Sequence, residues 1–225
     1  NYRNQWGCQD LNHLLRGSNG LLYGLTVLIW GSSWVTIKFQ VEAVPASVSV
    51  FYRFLLAALL LQGFCLLRRQ EIGYRLRDHG FLALQGICLF GLNYWLFYIS
   101  ANFLTSGLMA LIFSTIVIMN MINGWIWFGT QMELKMIGGA LMGLSGLSLV
   151  FWPELLGVES GTGIITGLLL AFSATYLSSL GNIVSVRNQR RGIPVLHANA
   201  YGMTCGSLIM LLITIILGEE WVFDW

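Results

Sequence analysis

Seven runs of mostly apolar residues dominate this sequence, each close to the roughly 20 residues that a helix needs to cross about 30 Å of hydrocarbon. They cover residues 21–39, 46–67, 80–100, 104–128, 134–152, 163–186 and 195–217. Short polar connectors separate them, so each predicted helix packs antiparallel to the next. Composition agrees: 56% of the residues are hydrophobic, 10% are charged and the mean hydropathy is +0.70, outside the range of soluble domains. The expected fold class is an all-α membrane protein, a multi-pass helical bundle. The first run is too long for a secretory signal and lacks a small-residue cleavage site near its end. Ahead of it, residues 1–20 mix Trp6, Leu11, Leu14 and Leu15 with Arg3, Asp10 and Arg16, which fits a short interfacial helix or an unstructured tail. The chain begins at Asn1 and stops at Trp225 just past an apolar run, which reads as a fragment of a longer protein.

Basic residues orient the bundle, because lysine and arginine resist translocation while acids count for little. One side holds ten of them: Arg3, Arg16, Arg68, Arg69, Arg75, Arg77, Lys135, Arg187, Arg190 and Arg191. The other holds only Lys38, and the twelfth, Arg53, lies within a helix. Glu42, Glu154, Glu159, Glu219, Glu220 and Asp224 gather on that second side. The N-terminus is therefore expected in the cytoplasm and Trp225 outside, across an inner or plasma membrane. The net charge of +2 is small, and no basic face points to nucleic acid. Cys8, Cys65, Cys88 and Cys205 show neither metal-ligand spacing nor a disulfide pattern and read as small core residues.

Five predicted helices between residues 21 and 152 form an odd-numbered block, so whatever follows starts upside down. The sixth run, GLLLAFSATYLSSLGN, aligns with the first, GLTVLIWGSSWVTIKF, when Gly24 is set on Gly167. Gly31 then meets Ala174, Ser32 meets Thr175 and Trp34 meets Leu177, and a proline, Pro45 or Pro194, follows each run. Inverted repeats are a construction of secondary transporters, which bind substrate at the repeat interface.

The stretches IWGSSWVTIKF, VPASVSVFYRFLLAALLL, LTSGLMALIFS and KMIGGALMGLSGLSLV resemble, in order, the signatures of an EamA-type domain of the drug/metabolite transporter superfamily. The resemblance spans residues 21–152 and continues more loosely over 163–217 as the start of a second copy. It implies a ten-helix transporter of two inverted five-helix repeats, the second incomplete here. The implied divisions are a cytoplasmic segment at 1–19, a first repeat at 20–152, an outer loop at 153–162 and the start of a second repeat at 163–225. Two positions depart from the pattern. A proline usual midway along the fourth helix is absent around Val117, which implies a straighter helix. Gly129-Thr130 stands where a Gly-Glu pair closes that helix, and the acid appears at Glu133.

Charges inside apolar runs are the first candidates for a solute site. At 1.5 Å per residue, Arg53 sits about 10 Å down a helix that starts near Ala46, where an uncompensated arginine costs about 2.5 to 3.5 kcal/mol. No Asp or Glu lies within an apolar run. Carbonyls with Tyr or Ser oxygens, a water-filled cavity, or an anionic group of the substrate remain as compensators. The resemblance attaches this arginine to members with very different substrates, which favours a structural role; contact with a carboxylate or phosphate is the alternative. Lys38, about 26 Å along its helix, lies near the outer rim. Trp30, Trp34 and Lys38 recur every four residues beside the Gly31-Ser32-Ser33 notch, as a cation–π face of a cavity or as an interfacial anchor. Tyr94, Tyr98 and Asn102 form a similar stripe on the third helix. Ser106, Ala110 and Ser114 form one on the fourth that also suits close helix packing. The candidate cavity residues are thus Trp30, Ser33, Trp34, Lys38, Arg53, Tyr94, Tyr98 and Ser114. Gly139-x-x-x-Gly143 is assigned to helix packing, and Asn93, Asn120 and Asn123 need hydrogen-bond partners within the membrane.

His13, His79 and His197 fall at loop or helix ends, and none is spaced as a metal ligand or proton relay. No nucleophile elbow, His-Glu metal motif or phosphate-binding loop occurs. The expectation is no enzyme and no cofactor. It is a secondary active or exchange transporter that moves a small organic metabolite or drug by alternating access, as an exporter. Its partners would be the solute and the lipid bilayer, and a homodimer would supply the missing helices if the chain truly ended at Trp225. A seven-helix receptor is the alternative that the helix count invites, but it needs an outside N-terminus, against the charge bias. An integral membrane enzyme needs clustered His, Asp or Glu within the helices, which are absent.

Overall fold

The structure, a computed structural model, describes residues 19–67, 74–153 and 162–221, apart from the side chains of residues 19, 38, 41–43 and 162. It is built of helices because every backbone N–H and C=O inside hydrocarbon must find its partner within its own segment. α1 spans Asn19–Ala43, α2 Ala46–Leu67, α3 Leu76–Ser100 and α4 Ser106–Phe128. α5 spans Leu134–Val150, α6 Thr162–Arg190 and α7 Val195–Leu217. Six of these are long and apolar enough to cross a membrane, while α5 is a shorter apolar helix of 17 residues. The reading of residues 1–18 as an interfacial helix or tail lies outside the described residues.

Three helices run past their expected ends, α1 by extending from Asn19 to Ala43 and α3 and α6 by taking in charged residues. α3 begins at Leu76 and α6 continues to Arg190 because polar residues in their terminal turns are held rather than excluded. Arg187 pairs with Asp78 at 2.8 Å, joining the first turn of α3 to the last turn of α6. Gly129 and Gly218, with φ of 63° and 64°, take the left-handed conformation that closes α4 and α7. Helices α2 and α7 each start directly after a proline, Pro45 or Pro194, whose missing N–H costs a helix nothing at that point.

Two helices are irregular. Ile87–Leu92 of α3 is a π-helical turn that re-aims the residues after it, beginning with Asn93. α4 is interrupted for one residue at Thr115, close to where the usual proline is missing. The Ser114 and Thr115 hydroxyls each donate to a backbone carbonyl, of Leu111 and Ile112, at 2.6 Å. Such back-bonding bends a helix much as a proline would.

α7 lies along α2 and α3, while α6 and α1 pack on α3 and α4. The closest crossing joins α3 to α7, where a Cβ on Gly86 would overlap the Gly202 carbonyl and one on Gly206 would stand 3.0 Å from the Gly86 carbonyl oxygen. Small residues let backbones approach this way. The packing assigned to Gly139 and Gly143 is not found among the described residues: a Cβ on either would meet nothing within 4 Å, and α5 buries no residue.

Because the helices alternate in direction, one end of the bundle carries Arg75, Arg77, Arg187, Arg190 and Arg191, and the other carries Ser47 and Glu219. At this Glu219 end, Ser47 bonds Thr214 at 2.6 Å and donates to the Glu219 carboxylate, tying the start of α2 to the end of α7. At the arginine-rich end the Tyr74 hydroxyl meets His197 Nδ1 at 2.5 Å. Cys65 and Cys88 are buried free thiols, as expected of core residues, and Cys205 is half-buried.

Candidate functional site

A cavity of about 360 Å³ lies between α1, α2, α3, α4, α6 and α7, a size that suits a small organic molecule. Three chemically distinct sectors make up its wall.

The first sector is aromatic. Trp34 of α1 meets Phe97 edge-on at 5.3 Å and Phe113 at 5.4 Å, and those two rings stand 5.6 Å apart. Trp30 adds a contact to Phe113 at 6.1 Å. These separations fall in the range where aromatic pairs attract beyond simple burial. The helical period places Trp30 and Trp34 on one face of α1, with Ser33 beside them on the wall.

The second sector is cationic. Arg53 of α2 is exposed on the cavity wall, its guanidinium carbon 5.0 Å from the Tyr94 ring centre and 5.9 Å from that of Phe54. Among the described residues no carboxylate lies within 4 Å of it. The Tyr98 hydroxyl reaches it from behind while donating to Gln40.

The third sector is made of amides and hydroxyls. Asn93 Nδ2 donates to Ser178 Oγ at 2.9 Å, while Asn93 Oδ1 is buried without a partner. Asn182 and Ser185 continue this wall along α6, and Asn199 joins it from α7. Asn182 donates to Asn120 at 3.4 Å, and Asn199 accepts from Gln85 at 3.3 Å. At 1.5 Å per residue, Arg53 lies about 10 Å from the Glu219 end of α2, and Ser185 about 8 Å from the arginine-rich end of α6. The cavity therefore runs from the outer third at one end almost to the other.

Of the eight candidate residues, Trp30, Ser33, Trp34, Arg53 and Tyr94 stand together on this wall. Tyr98 is fully buried behind it. Ser114 is off it, its hydroxyl bound to the Leu111 carbonyl. The side chain of Lys38, and with it the cation–π face expected with Trp34, lies outside the described residues. The cavity also recruits Asn93, Phe97, Phe113, Ser178, Asn182, Ser185 and Asn199, which were not among the candidates. Ser178, Asn182 and Ser185 do carry a readable signal, since they form a polar stripe at i, i+4 and i+7 in an apolar helix. Phe97 and Phe113 carry none, because an aromatic ring in a membrane helix suits lipid as well as a cavity.

Known proteins share both the sequence and the fold. A transporter of uncharacterised function from Bacillus subtilis, YoaV, is 23% identical over 202 residues, which is 88% of this chain and 68% of that one. Protein PagO of Salmonella typhimurium is 25% identical over 137 residues, 61% of this chain and 45% of PagO. A crystal structure with 18% sequence identity superposes with a TM-score of 0.68, covering 91% of this chain and 69% of its own, and so shares the fold. Residues 18–152 match the EamA-like transporter family. With its apolar helices and its central cavity, the chain belongs to that family, within the drug/metabolite transporter superfamily, and is a multi-pass integral membrane transporter.

Proposed function

We propose that this protein exports a small organic solute that carries a carboxylate on an apolar or aromatic body, by alternating access of two inverted repeats. The observation behind this reading is Arg53, a guanidinium on the wall of an apolar cavity with ring partners and no carboxylate within 4 Å among the described residues. A carboxylate takes such a fork with two parallel hydrogen bonds. The solute body would rest against Trp30, Trp34, Phe97 and Phe113, and its polar substituents would meet Asn182 and Asn199. The reach of the cavity toward the arginine-rich end supports loading from that side. Ten basic residues against one favour the cytoplasm for that end, hence export and a cytoplasmic N-terminus. The repeats would be residues 20–152 and a second beginning at 163, rocking about the cavity between them.

The test is binding of phenylalanine and of phenylalanine amide, which keeps the ring and lacks the carboxylate, to the purified protein by calorimetry. The acid should bind about tenfold more tightly, the value of a charge-assisted pair over a neutral one. Arg53→Gln should erase that preference while the melting temperature stays put. Equal binding of acid and amide by the unaltered protein overturns the reading, and unfolding of both Arg53→Gln and Arg53→Lys assigns Arg53 to the fold instead. Everted vesicles should accumulate the acid if the direction is export, and right-side-out vesicles if it is not.

A further inference from the structure

We infer that the arginine-rich end of α6 holds an anionic glycerophospholipid, with an acyl chain in a second groove and the headgroup phosphate on Arg190 and Arg191. The groove, about 290 Å³, lies between α3, α4 and α6 and shares no lining residue with the cavity around Arg53. Its walls are carbon surfaces, Leu84 from α3, Trp127 and Phe128 from α4, and Leu180 and Ile183 from α6. Leu84 and Trp127 are exposed, so it opens at the perimeter of the bundle, where a membrane protein meets lipid.

Its mouth has the opposite chemistry. Arg187 lines the groove, its guanidinium carbon 3.8 Å from the centre of the Phe81 ring, but it is neutralised by Asp78 and held by the Asn188 amide oxygen at 3.0 Å. Arg190 is different. Its guanidinium carbon lies 4.1 Å over the ring of the groove residue Phe128, and among the described residues no carboxylate lies within 4 Å of it or of Arg191. Stacked on the ring, the Arg190 guanidinium is held flat over the groove while both arginines stay exposed. From Arg187 to Leu180 the groove descends seven residues of α6, about 10 Å toward the bilayer centre.

A soluble anion would use the arginines and leave the groove empty, and an apolar solute would fill the groove and leave the charges unmet. The molecule that satisfies both is an amphipath with a phosphate at the interface and a hydrocarbon chain beneath it. Basic pockets between membrane helices select anionic headgroups in this way. A zwitterionic lipid places its own ammonium beside the phosphate and competes with Arg190 for it.

Native mass spectrometry of the purified protein, given phosphatidylglycerol and phosphatidylcholine with identical acyl chains, tests the site. Phosphatidylglycerol should be retained about fivefold or more over phosphatidylcholine, the effect of about 1 kcal/mol per arginine near a phosphate. The double variant R190Q/R191Q should bring the two lipids to equal retention, and R190K/R191K should keep most of the preference. Ile183→Trp, which fills the groove, should lower retention of both lipids, and glycerol phosphate should displace neither. Equal retention by the unaltered protein, or a preference that survives R190Q/R191Q, overturns the assignment. Displacement by glycerol phosphate reduces it to a headgroup-only anion site, and no retained lipid at all means that protein covers the groove; either result also overturns it.

Discussion

The guanidinium of Arg53 is stacked on the ring of Tyr94, 5.0 Å from its centre, and the Phe54 ring meets the same tyrosine edge-on at 4.8 Å. The arginine is thereby fixed by rings, which satisfy part of its charge without taking up N–H donors, while the Tyr98 hydroxyl oxygen accepts from it and the remaining donors are left for a ligand. Tyr94→Leu should therefore weaken binding of a carboxylate solute about fivefold, the equivalent of about 1 kcal/mol for a partly desolvated cation–π contact. Tyr94→Phe keeps the ring and should stay within about twofold. Calorimetric titration of both variants with phenylalanine checks this, and equal losses would mean that the Tyr94 hydroxyl, not its ring, supports the site.

The crossing of α3 and α7 should be the most sensitive point of the fold to an added methyl group. On Gly86 that group would overlap a backbone carbonyl, which cannot rotate away as a side chain would. Overpacking of this kind costs about 1 to 3 kcal/mol, so Gly86→Ala should lower the melting temperature by about 5 °C or more. Gly139→Ala on α5 meets nothing within 4 Å and should leave it unchanged or slightly raised, since alanine favours helix. Thermal unfolding of the two variants side by side reads the difference.

Alkaline pH should act through Tyr74. Burial pushes its phenol above the ordinary value of 10.0, helped by Tyr201 and then Cys65. Below about pH 10 the phenol is neutral in folded and unfolded chains alike, and Tyr74→Phe differs from the parent by a constant offset. Above that pH the unfolded chain ionises first, so stability is lost as pH rises from about 10 toward the folded value. The gap in melting temperature between the parent and Tyr74→Phe should thus move in favour of the phenylalanine variant between about pH 9.5 and 11. A gap independent of pH across that range would show that Tyr74 titrates normally.

Helix existence was legible in the sequence because membrane thickness sets a length that apolar runs either reach or do not, and every described helix falls on one of the seven runs. Helix ends were less legible, since an ion pair such as Asp78 with Arg187 lets a helix continue through charged residues that look like a loop. The cavity was half legible. Arg53, Trp30 and Trp34 stood out as polar or bulky residues at telling positions, but Tyr98 and Ser114 look equally polar on paper and spend their hydroxyls on Gln40 and on a backbone carbonyl. Asn93 reads in the sequence as an amide needing a partner, but nothing local to it reveals Ser178, which lies 85 residues away. Gly139 and Gly86 show the same limit: both are small residues in apolar helices, and only the facing helix decides which one is a contact.

The tie between Ser47 and Thr214 gives a test of how the Glu219 end is held. Both residues are fully buried, and their hydroxyls lie 2.6 Å apart, with Glu219 accepting from Ser47 as well. Removing one partner strands the other, and an unsatisfied buried hydroxyl costs about 1 to 3 kcal/mol, whereas replacing both with apolar groups of similar shape is close to neutral. Ser47→Ala takes from the Thr214 hydroxyl its partner across the helices and should therefore lower the melting temperature by about 3 to 8 °C, whereas Thr214→Val leaves Ser47 bonded to Glu219 and should cost less. The double variant should recover part of that loss, since Glu219 is only half-buried and reaches water once Ser47 is gone. Strict additivity of the two losses would mean that each hydroxyl is satisfied elsewhere and that the pair does not hold α2 to α7.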